Sequence, residues 1–271
     1  METKITDHKF QIGRWKNIVF LVCALVIIAW WIETPGGLLG KSDAIGYAVC
    51  HRIEARSFFL DDRPLPLCAR CSGMYLGAVA GILFQFIFFP RKGGLPGWKT
   101  GIPFILFVLA FGIDGLNSYL HLFPGMNGAY EPQNWLRLLT GTGMGLSIAA
   151  MLVPAFNQSV WKKWDSQSIY TGWKAYLGLI GSGFAVASLL LIDNPFFRYP
   201  LALISAAGVI LVLGLVYAII WLMVFHKDNQ ADRWLDLIIP LCAGLLTAFV
   251  QIGAFDWLRY LLTGTWSGFK F

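Results

Sequence analysis

Long, continuous apolar runs dominate the chain, and polar residues gather in short segments between them. Most runs approach the 20 or so residues that an α-helix needs to cross a hydrocarbon core roughly 30 Å thick. Apolar and polar positions do not alternate along them as they do in the strands of a membrane barrel, so the runs predict helices. The pattern gives seven candidate membrane spans: residues 17–32, 73–89, 101–121, 135–156, 174–192, 200–225 and 234–254.

Composition points to the same fold class. Of the 271 residues, 57% are hydrophobic and 13% are charged, against about 45–50% and about 25% in soluble domains. This deficit of charge excludes a disordered chain, and five Cys in 271 residues are too sparse for a disulfide scaffold. We therefore expect an all-α, polytopic transmembrane helical bundle, a single integral membrane domain over residues 1–271. Membrane lipid is an expected partner, and the net charge of +6 has no continuous basic face for nucleic acid.

Lys and Arg are divided unevenly between the two sides of this bundle. They concentrate in the N-terminal segment and in the second, fourth and sixth connections, which all lie on one side. The positive-inside rule therefore predicts a cell (inner) membrane protein with a cytoplasmic N-terminus and an outside C-terminus. No small-residue cleavage pattern follows the first span, so that span is expected to be retained. The N-terminal cations are Lys4, Lys9, Arg14 and Lys16.

The first connection, residues 33–72, departs from this rule. It falls on the outer side and yet is rich in basic residues, which suggests that its arginines serve a local task. A helix would place Arg52 and Arg56 on one face, and Ser42-Asp43 would cap such a helix at the membrane surface. Guanidinium groups bind phosphate and carboxylate, so an anion or lipid head group is expected here. The basic residues are Lys41, Arg52, Arg56, Arg63 and Arg70.

The same connection holds a Cys/His constellation. Cys50 and His51 are adjacent, and Cys68 and Cys71 form a C-x-x-C where the second span begins. These four residues make a Cys3His set of the kind that binds one zinc or other thiophilic metal ion. Because adjacent side chains usually point apart, one of Cys50 and His51 could lie outside the first coordination shell.

Two other interpretations of the cysteines stay open. A C-x-x-C at a helix N-terminus also suits thiol–disulfide exchange, here coupled to a quinone. Alternatively, one disulfide staples the outer loop and the third cysteine is buried. Cys23 and Cys242 lie inside apolar runs and are expected to be inert packing residues.

Polar residues inside two spans form stripes that face each other across a short connection. Such residues are costly in lipid and are candidates for function. Asp114 and Arg137 are expected to lie within reach of each other, with Asp114 as a catalytic proton acceptor. Both stripes open toward the outer side, which predicts a polar cavity roofed by residues 42–72. Asp114, Asn117, Ser118 and His121 form the first stripe, and Asn134, Arg137 and Thr140 form the second.

These motifs resemble a family of predicted prokaryotic membrane proteins known as domain of unknown function 2085. The family pattern C-H-R…R-S-F…P-x-C-x-R-C-x-G-x-Y-x-G is similar to the run from Cys50 to Gly77, and further matches occur at Asp114-Gly115 and at Asn134, Arg137 and Gly141. The resemblance covers about residues 45–150. It implies that the Cys/His loop and the polar stripes form one site, and that residues 151–271 add three further transmembrane helices.

The function expected from the sequence is a Cys/His metal site next to an Arg-lined anion or lipid head-group pocket on the outer face. Its anion-binding residues would be Arg52, Arg56, Arg70, Asn117, Asn134 and Arg137. If the protein is an enzyme, a lipid-linked anion is the expected substrate. The alternatives are a thiol–disulfide/quinone oxidoreductase, a transporter or lipid translocator, and a scaffold or assembly subunit. The sequence does not identify a protein partner.

Overall fold

The computed structural model describes residues 2–123, 125 and 128–267, with side chains described from residue 17 onward. The leader cations Lys4, Lys9, Arg14 and Lys16 and the tail cation Lys270 lie outside the described side chains. The helices are α1 Glu2–Glu33, α2 Gly37–Val49, α3 Ala69–Phe88, α4 Trp98–Leu120, α5 Asn134–Val160, α6 Trp173–Ser188, α7 Pro195–Val224 and α8 Ile238–Thr263. Two short strand pairs accompany them, β1 Phe59–Leu60 with β2 Arg63–Pro64 and β3 Lys92–Gly94 with β4 Asp165–Ser168.

The predicted all-α bundle of about seven spans is confirmed. Within the described residues, six helices are long and apolar enough to cross a membrane: α3, α4, α5, α7, Trp173–Leu191 (α6 and a 3-10 turn) and Trp234–Thr263 (α8 and a 3-10 turn). The helices Asn17–Glu33 and Gly37–Val49 pass the same test together, with a bend of 104° between them, and make a seventh span if the bent pair is counted as one.

The bend differs from the prediction for the first connection. We expected a surface helix that Ser42-Asp43 caps, whereas α2 begins at Gly37 and both residues lie inside it. Gly37 adopts a φ of +76°, a left-handed conformation that glycine tolerates and that turns the chain sharply. The Lys41 ammonium then folds back and donates to the Thr34 carbonyl at 2.7 Å, which satisfies a backbone acceptor at the end of α1.

The helices alternate in direction, so the connections gather at two ends of the bundle. We call them the Cys50 end and the Arg91 end. The Cys50 end holds residues 50–68, 121–123, 125, 128–133, 189–194 and 264–267. The Arg91 end holds residues 89–97, 161–172 and 225–233. At the Arg91 end, β3 and β4 pair in parallel and the Arg91 guanidinium lies 4.2 Å from the centroid of the Trp161 ring.

Helices α3 and α5 form the closest helix pair at the centre of the bundle. Each contributes two glycines four residues apart, Gly73 and Gly77 on α3 and Gly141 and Gly145 on α5. A Cβ atom at any of the four would overlap a backbone carbonyl oxygen of the facing helix. Small residues at this spacing allow transmembrane helices to approach at backbone distance. The contact fixes α3 against α5 and thereby positions the start of α3.

Replacing Gly145 by alanine is expected to lower the free energy of unfolding by about 1–3 kcal/mol, since the new methyl group would collide with the Met74 carbonyl and force the helices apart. Reversible unfolding in mixed detergent micelles measures this. Gly112→Ala is the matched control, because a Cβ at that helical position meets no atom within 4 Å. Equal stability of the two variants would contradict the role assigned to the α3–α5 contact.

Candidate metal centre and arginine cluster

Three cysteine sulfurs come together at the Cys50 end. The Sγ atoms of Cys50, Cys68 and Cys71 all lie within 4.8 Å of one another, and all three thiols are free. Cys50 and Cys68 are 5% and 3% exposed. They pack in an apolar cluster with residues such as Leu67, Ala206 and Val209. The predicted grouping of these cysteines is therefore realised as a trio of thiols, of which those of Cys50 and Cys68 are buried and that of Cys71 is partly buried.

Two local features bring the cysteines together from separate segments. Gly46 on α2 lies so close to the backbone of Pro66 that a Cβ would overlap the Pro66 carbonyl, and this contact sets the Cys68 segment beside the end of α2. Cys50 follows directly as the residue after α2, and its amide donates to the Gly46 carbonyl at 2.8 Å. The Cys68 amide then donates to Cys50 Sγ at 3.4 Å.

The start of α3 favours negative charge on these sulfurs. Cys68 is the N-cap of α3 and Cys71 lies in its first turn, where free backbone amides and the helix dipole stabilise thiolates. Hydrogen bonds from the Cys68 and Cys71 thiols lower the pKa of Cys50 well below its ordinary value. The hydrogen bond to Cys50 raises the pKa of Cys68 to about 12. Hydrogen bonds within the trio therefore favour the thiolate form of Cys50.

His51 lies at the edge of the trio. Its Nδ1 is 4.0 Å from Cys50 Sγ, and it does not share the mutual 4.8 Å spacing of the three sulfurs. Its Nε2 is buried and has no hydrogen-bonding partner among the described residues. The imidazole is therefore near the cysteines with a ring nitrogen uncommitted.

Arg52 and Arg259 hold the backbone that carries Cys50. Arg52 takes a left-handed φ of +52°, and its guanidinium pairs with Asp43 at 2.9 Å and donates to the Trp266 carbonyl at 3.2 Å. From α8, Arg259 Nη1 donates to the Tyr47 and Cys50 carbonyls at 2.6 and 2.7 Å. The structure thus places Arg52 apart from the other predicted anion-binding residues, as a support for the loop.

On the opposite side of α3, Asp114 forms a buried ion pair. Its partner is Arg70 and not Arg137 as we expected, with Arg70 Nε 3.0 Å from Asp114 Oδ2. The Asp114 side chain is 1% exposed and that of Arg70 is 14% exposed. The Tyr130 hydroxyl donates to Asp114 Oδ1 at 2.9 Å, and burial together with this bond raises the pKa of Tyr130 to about 12. Donors therefore occupy both oxygens of the predicted proton acceptor.

Three guanidinium groups converge on Ser118, and we call them the arginine cluster. Arg56 Nη2 donates to the Ser118 carbonyl at 2.7 Å, Arg70 Nη2 to its hydroxyl at 2.8 Å, and Arg137 Nε to the same hydroxyl at 3.4 Å. Within the described residues, Asp114 is the one carboxylate with which they pair. Burial and the charge of Arg70 lower the pKa of Arg56. The cluster therefore carries an excess of positive charge.

The predicted amides border the arginine cluster. Asn134 Oδ1 accepts from Arg137 Nη1 at 2.8 Å, and its amide nitrogen lies 3.3 Å from the Ser57 carbonyl. Asn117 donates instead to the Tyr130 carbonyl at 2.8 Å. Asn134 thus contacts the arginine cluster through Arg137, while Asn117 holds the connection between α4 and α5.

The thiols and the arginine cluster do not share one polar cavity as we expected. Cys68 and Cys71 point from the first turn of α3 into the apolar cluster with α2 and α7, whereas Arg70, between them in the sequence, points toward α4. Helical geometry separates these directions because successive residues rotate by about 100°. The first turn of α3 therefore joins two neighbouring sites.

Two residues, Tyr130 and Arg259, contact these sites in ways that were not predicted from the sequence. Tyr130 lies in an irregular connection, and no motif signals its bond to Asp114. Arg259, in the last span, also contacts the Cys50 backbone directly through the Cys50 carbonyl. A charged residue near the end of an apolar helix indicates a local role for Arg259. The residue that it binds, Cys50, could not be predicted because it lies 209 residues away in the chain.

The helices and the sites together define a multi-pass helical membrane protein. A family model described as predicted membrane protein (DUF2085) matches residues 50–151, which include the cysteine trio and the arginine cluster. An uncharacterised protein of Methanothermobacter thermautotrophicus is 33% identical over 103 residues, 38% of this chain and 83% of its own length. The chain belongs to this DUF2085 family, as the resemblance implied.

A second archaeal relative extends the match slightly. An uncharacterised protein of Methanocaldococcus jannaschii is 29% identical over 122 residues, which is 44% of this chain and 71% of that protein. No solved structure matches the chain. The similarity therefore supports the family and the membrane location, and the chemistry has to be argued from the residues.

Proposed function

We propose that the protein binds one thiophilic metal ion, with zinc as the default, through Cys50, Cys68 and Cys71. The observation that carries this proposal is the mutual 4.8 Å limit on the distances between the three sulfurs. Tetrahedral zinc with Zn–S bonds of about 2.3 Å needs sulfurs about 3.8 Å apart, so small side-chain rotations suffice. We propose His51 as the fourth ligand, because it lies next to Cys50 and its Nε2 has no hydrogen-bonding partner among the described residues.

The surroundings favour an ion held inside protein. The trio is closed off by apolar residues, and the free amides at the start of α3 support thiolate charge. Structural zinc sites have four protein ligands, whereas catalytic sites keep one position open. Three thiolates with His51 as the fourth ligand would make a structural site, and three thiolates with an open fourth position would make a catalytic site.

Elemental analysis of the detergent-purified protein tests the proposal. We expect about one zinc or other thiophilic metal ion per chain, as a single coordination site requires. Metal-free protein, after purification without chelators and after incubation with Zn²⁺, would contradict the proposal.

We further propose that the arginine cluster binds a phosphate or carboxylate group of a lipid or lipid-linked anion. Three guanidiniums around Ser118 with one paired carboxylate leave positive charge unmatched, and guanidiniums recognise such anions through paired hydrogen bonds. Arg56, which lies in a connection at the Cys50 end, is the member of the cluster that an anion at the membrane surface meets first.

Replacing Arg56 by glutamine is expected to weaken anion binding by about tenfold, the usual size of one charge-assisted hydrogen bond. Binding of inorganic phosphate, and separately of short-chain phosphatidylglycerol, is read from the shift in thermal midpoint of detergent-solubilised protein. Arg63→Gln is the matched control, because that guanidinium pairs with Asp43 away from Ser118. Equal phosphate affinity of the two variants would refute the anion site, and a preference for the lipid would identify the source.

We also propose that the Cys50 end faces the outside of the cell membrane and that the N-terminus is cytoplasmic. Basic residues recur in the connections at the Arg91 end, as the positive-inside rule requires. Several arginines of the Cys50 end are engaged in local ion pairs, as with Arg52, Arg63 and Arg198. Reporter fusions after residues 194 and 229 are expected to report opposite sides of the membrane, and the same side for both would contradict this orientation.

A second candidate function is thiol–disulfide exchange, which the proximity of Cys50 Sγ to the C-x-x-C pair favours. In that reaction the Cys68 and Cys71 thiols would form one disulfide and pass two electrons and two protons to a quinone, which becomes a hydroquinone. Thiol alkylation of chelated, unfolded protein separates the candidates. Five reactive cysteines support the metal site, whereas three before reduction and five afterwards support the redox reaction.

A further inference from the structure

A cavity of about 720 Å³ lies between the last turns of α1 and the C-terminal half of α8, at the Cys50 end. Both helices fall outside residues 50–151, the part that the family model matches. The cavity is separate from the cysteine trio and from the arginine cluster. Its polar and aromatic lining includes Trp30, Glu33, Asp256, Trp257, Tyr260 and Trp266.

Asp256 is a buried residue, and one of its two carboxylate oxygens has no hydrogen-bonding partner among the described residues. The residue is 4% exposed, and its Oδ2 accepts from Trp30 Nε1 at 3.1 Å. Its Oδ1 is buried and has no hydrogen-bonding partner in the part of the chain that the structure describes. A carboxylate in a membrane-spanning helix is costly unless a donor satisfies it. The unused oxygen therefore calls for a donor from a bound molecule.

The walls of the cavity suit a cation. Its lining includes the aromatic residues Trp30, Trp257, Tyr260 and Trp266, and the faces of aromatic rings attract ammonium groups. Glu33 adds a second carboxylate at the exposed rim. Arg259, three residues beyond Asp256, interacts electrostatically with Asp256, while its Nη1 donates to the carbonyls of Tyr47 in the last turn of α2 and of Cys50 directly after α2. Negative charge and aromatic faces thus line the same space.

We propose that this cavity binds a primary ammonium group, with Asp256 Oδ1 as the acceptor of its N–H and the aromatic rings as its walls. A quaternary ammonium has no N–H to donate, so the site discriminates against it. The same group occurs in free amines and in the phosphatidylethanolamine head group. The proposal is independent of the metal site, since none of the three cysteines lines this cavity.

Binding of benzylamine to detergent-purified protein, measured by equilibrium dialysis, is the direct test. We expect benzylamine to bind at least about tenfold more tightly than benzyltrimethylammonium, and Asp256→Asn to weaken benzylamine binding by about tenfold or more. The control Asp62→Asn removes the same charge from an exposed position at the same end and is expected to leave binding unchanged. Equal binding of benzylamine by the Asp256 and Asp62 variants would overturn the proposal.

Two further measurements keep the test decisive. Trp257 is 67% exposed, so Trp257→Leu is expected to fold normally and to weaken benzylamine binding severalfold through loss of one ring. Native mass spectrometry from mixed phosphatidylethanolamine and phosphatidylcholine micelles identifies the source. Retention of phosphatidylethanolamine that Asp256→Asn abolishes indicates a lipid ligand, and benzylamine binding without lipid retention indicates a free amine. Binding of neither in the unmodified protein refutes the site, whatever its metal content.

Discussion

Replacing Cys68 by serine is expected to reduce the bound metal from about one ion per chain to less than about a tenth. Cys68 links the other two sulfurs, because its amide contacts Cys50 Sγ and it shares the C-x-x-C with Cys71. A serine hydroxyl is a hard and weakly acidic ligand that a thiophilic ion does not accept in place of a thiolate. Elemental analysis of the variant, purified alongside the unmodified protein, measures the loss.

The chain offers an internal control for this substitution. Cys23 and Cys242 lie against each other between α1 and α8, inside apolar segments and apart from the trio. The double variant Cys23→Ser/Cys242→Ser changes more thiols than Cys68→Ser and is nevertheless expected to retain the ion. If the double variant loses the metal while Cys68→Ser keeps it, the ligands have been assigned to the wrong cysteines.

Replacing Asp114 by alanine is expected to lower the free energy of unfolding by about 3–5 kcal/mol. The substitution leaves the Arg70 guanidinium, which is 14% exposed, without its carboxylate beside two further guanidiniums on Ser118. A buried charge without a partner is among the most destabilising changes in a protein interior. Reversible unfolding in mixed micelles provides the measurement.

Two companion variants separate lost pairing from lost packing. Asp232→Ala breaks the Lys162–Asp232 pair, whose side chains are 61% and 62% exposed, and is expected to cost at most about 1 kcal/mol. The double variant Arg70→Leu/Asp114→Leu removes both charges and is expected to be more stable than Asp114→Ala. If Asp114→Ala matched Asp232→Ala in stability, the account of a buried, charge-rich cluster would be contradicted.

The membrane architecture was predictable because each apolar run is long enough to have one interpretation. Length and hydropathy alone identify α3 to α8, and their ends differ from the predictions by up to five residues, except that α8 continues nine residues beyond the predicted end. The bent span was not predictable in the same way. Polar residues at Lys41, Ser42 and Asp43 interrupt the apolar run of α2, so its first half was assigned to a loop although tertiary contacts make it helical.

The cysteine trio and the three arginines around Ser118 were predictable from the sequence, whereas the places of Arg52 and Asn117 and the partner of Asp114 were not. Cys50, Cys68 and Cys71 were grouped correctly because few other thiols exist in the chain. The partner of Asp114 was assigned to Arg137 because α4 and α5 are sequential and antiparallel. Which ion pair forms depends on the rotation of each helix about its axis, and the close α3–α5 contact turns Arg70 toward Asp114. That rotation results from packing, which no local pattern encodes.

The cysteine trio and the arginine cluster lie on different sides of the first turn of α3, so an ion in one site would not touch an anion in the other. The thiols lie among apolar side chains, and the guanidiniums lie on the other side of the same helical turn. An ion in the trio and an anion in the arginine cluster would therefore act on each other through the start of α3. Metal binding that orders this turn is expected to pre-arrange Arg70 for the anion.

X-ray absorption at the edge of the bound metal tests the central claim most directly, because it counts the sulfur atoms around the ion. We predict three sulfur neighbours at about 2.3 Å, with at most one nitrogen or oxygen ligand in addition. A coordination shell of nitrogen and oxygen alone would contradict the assignment of Cys50, Cys68 and Cys71 as the metal ligands.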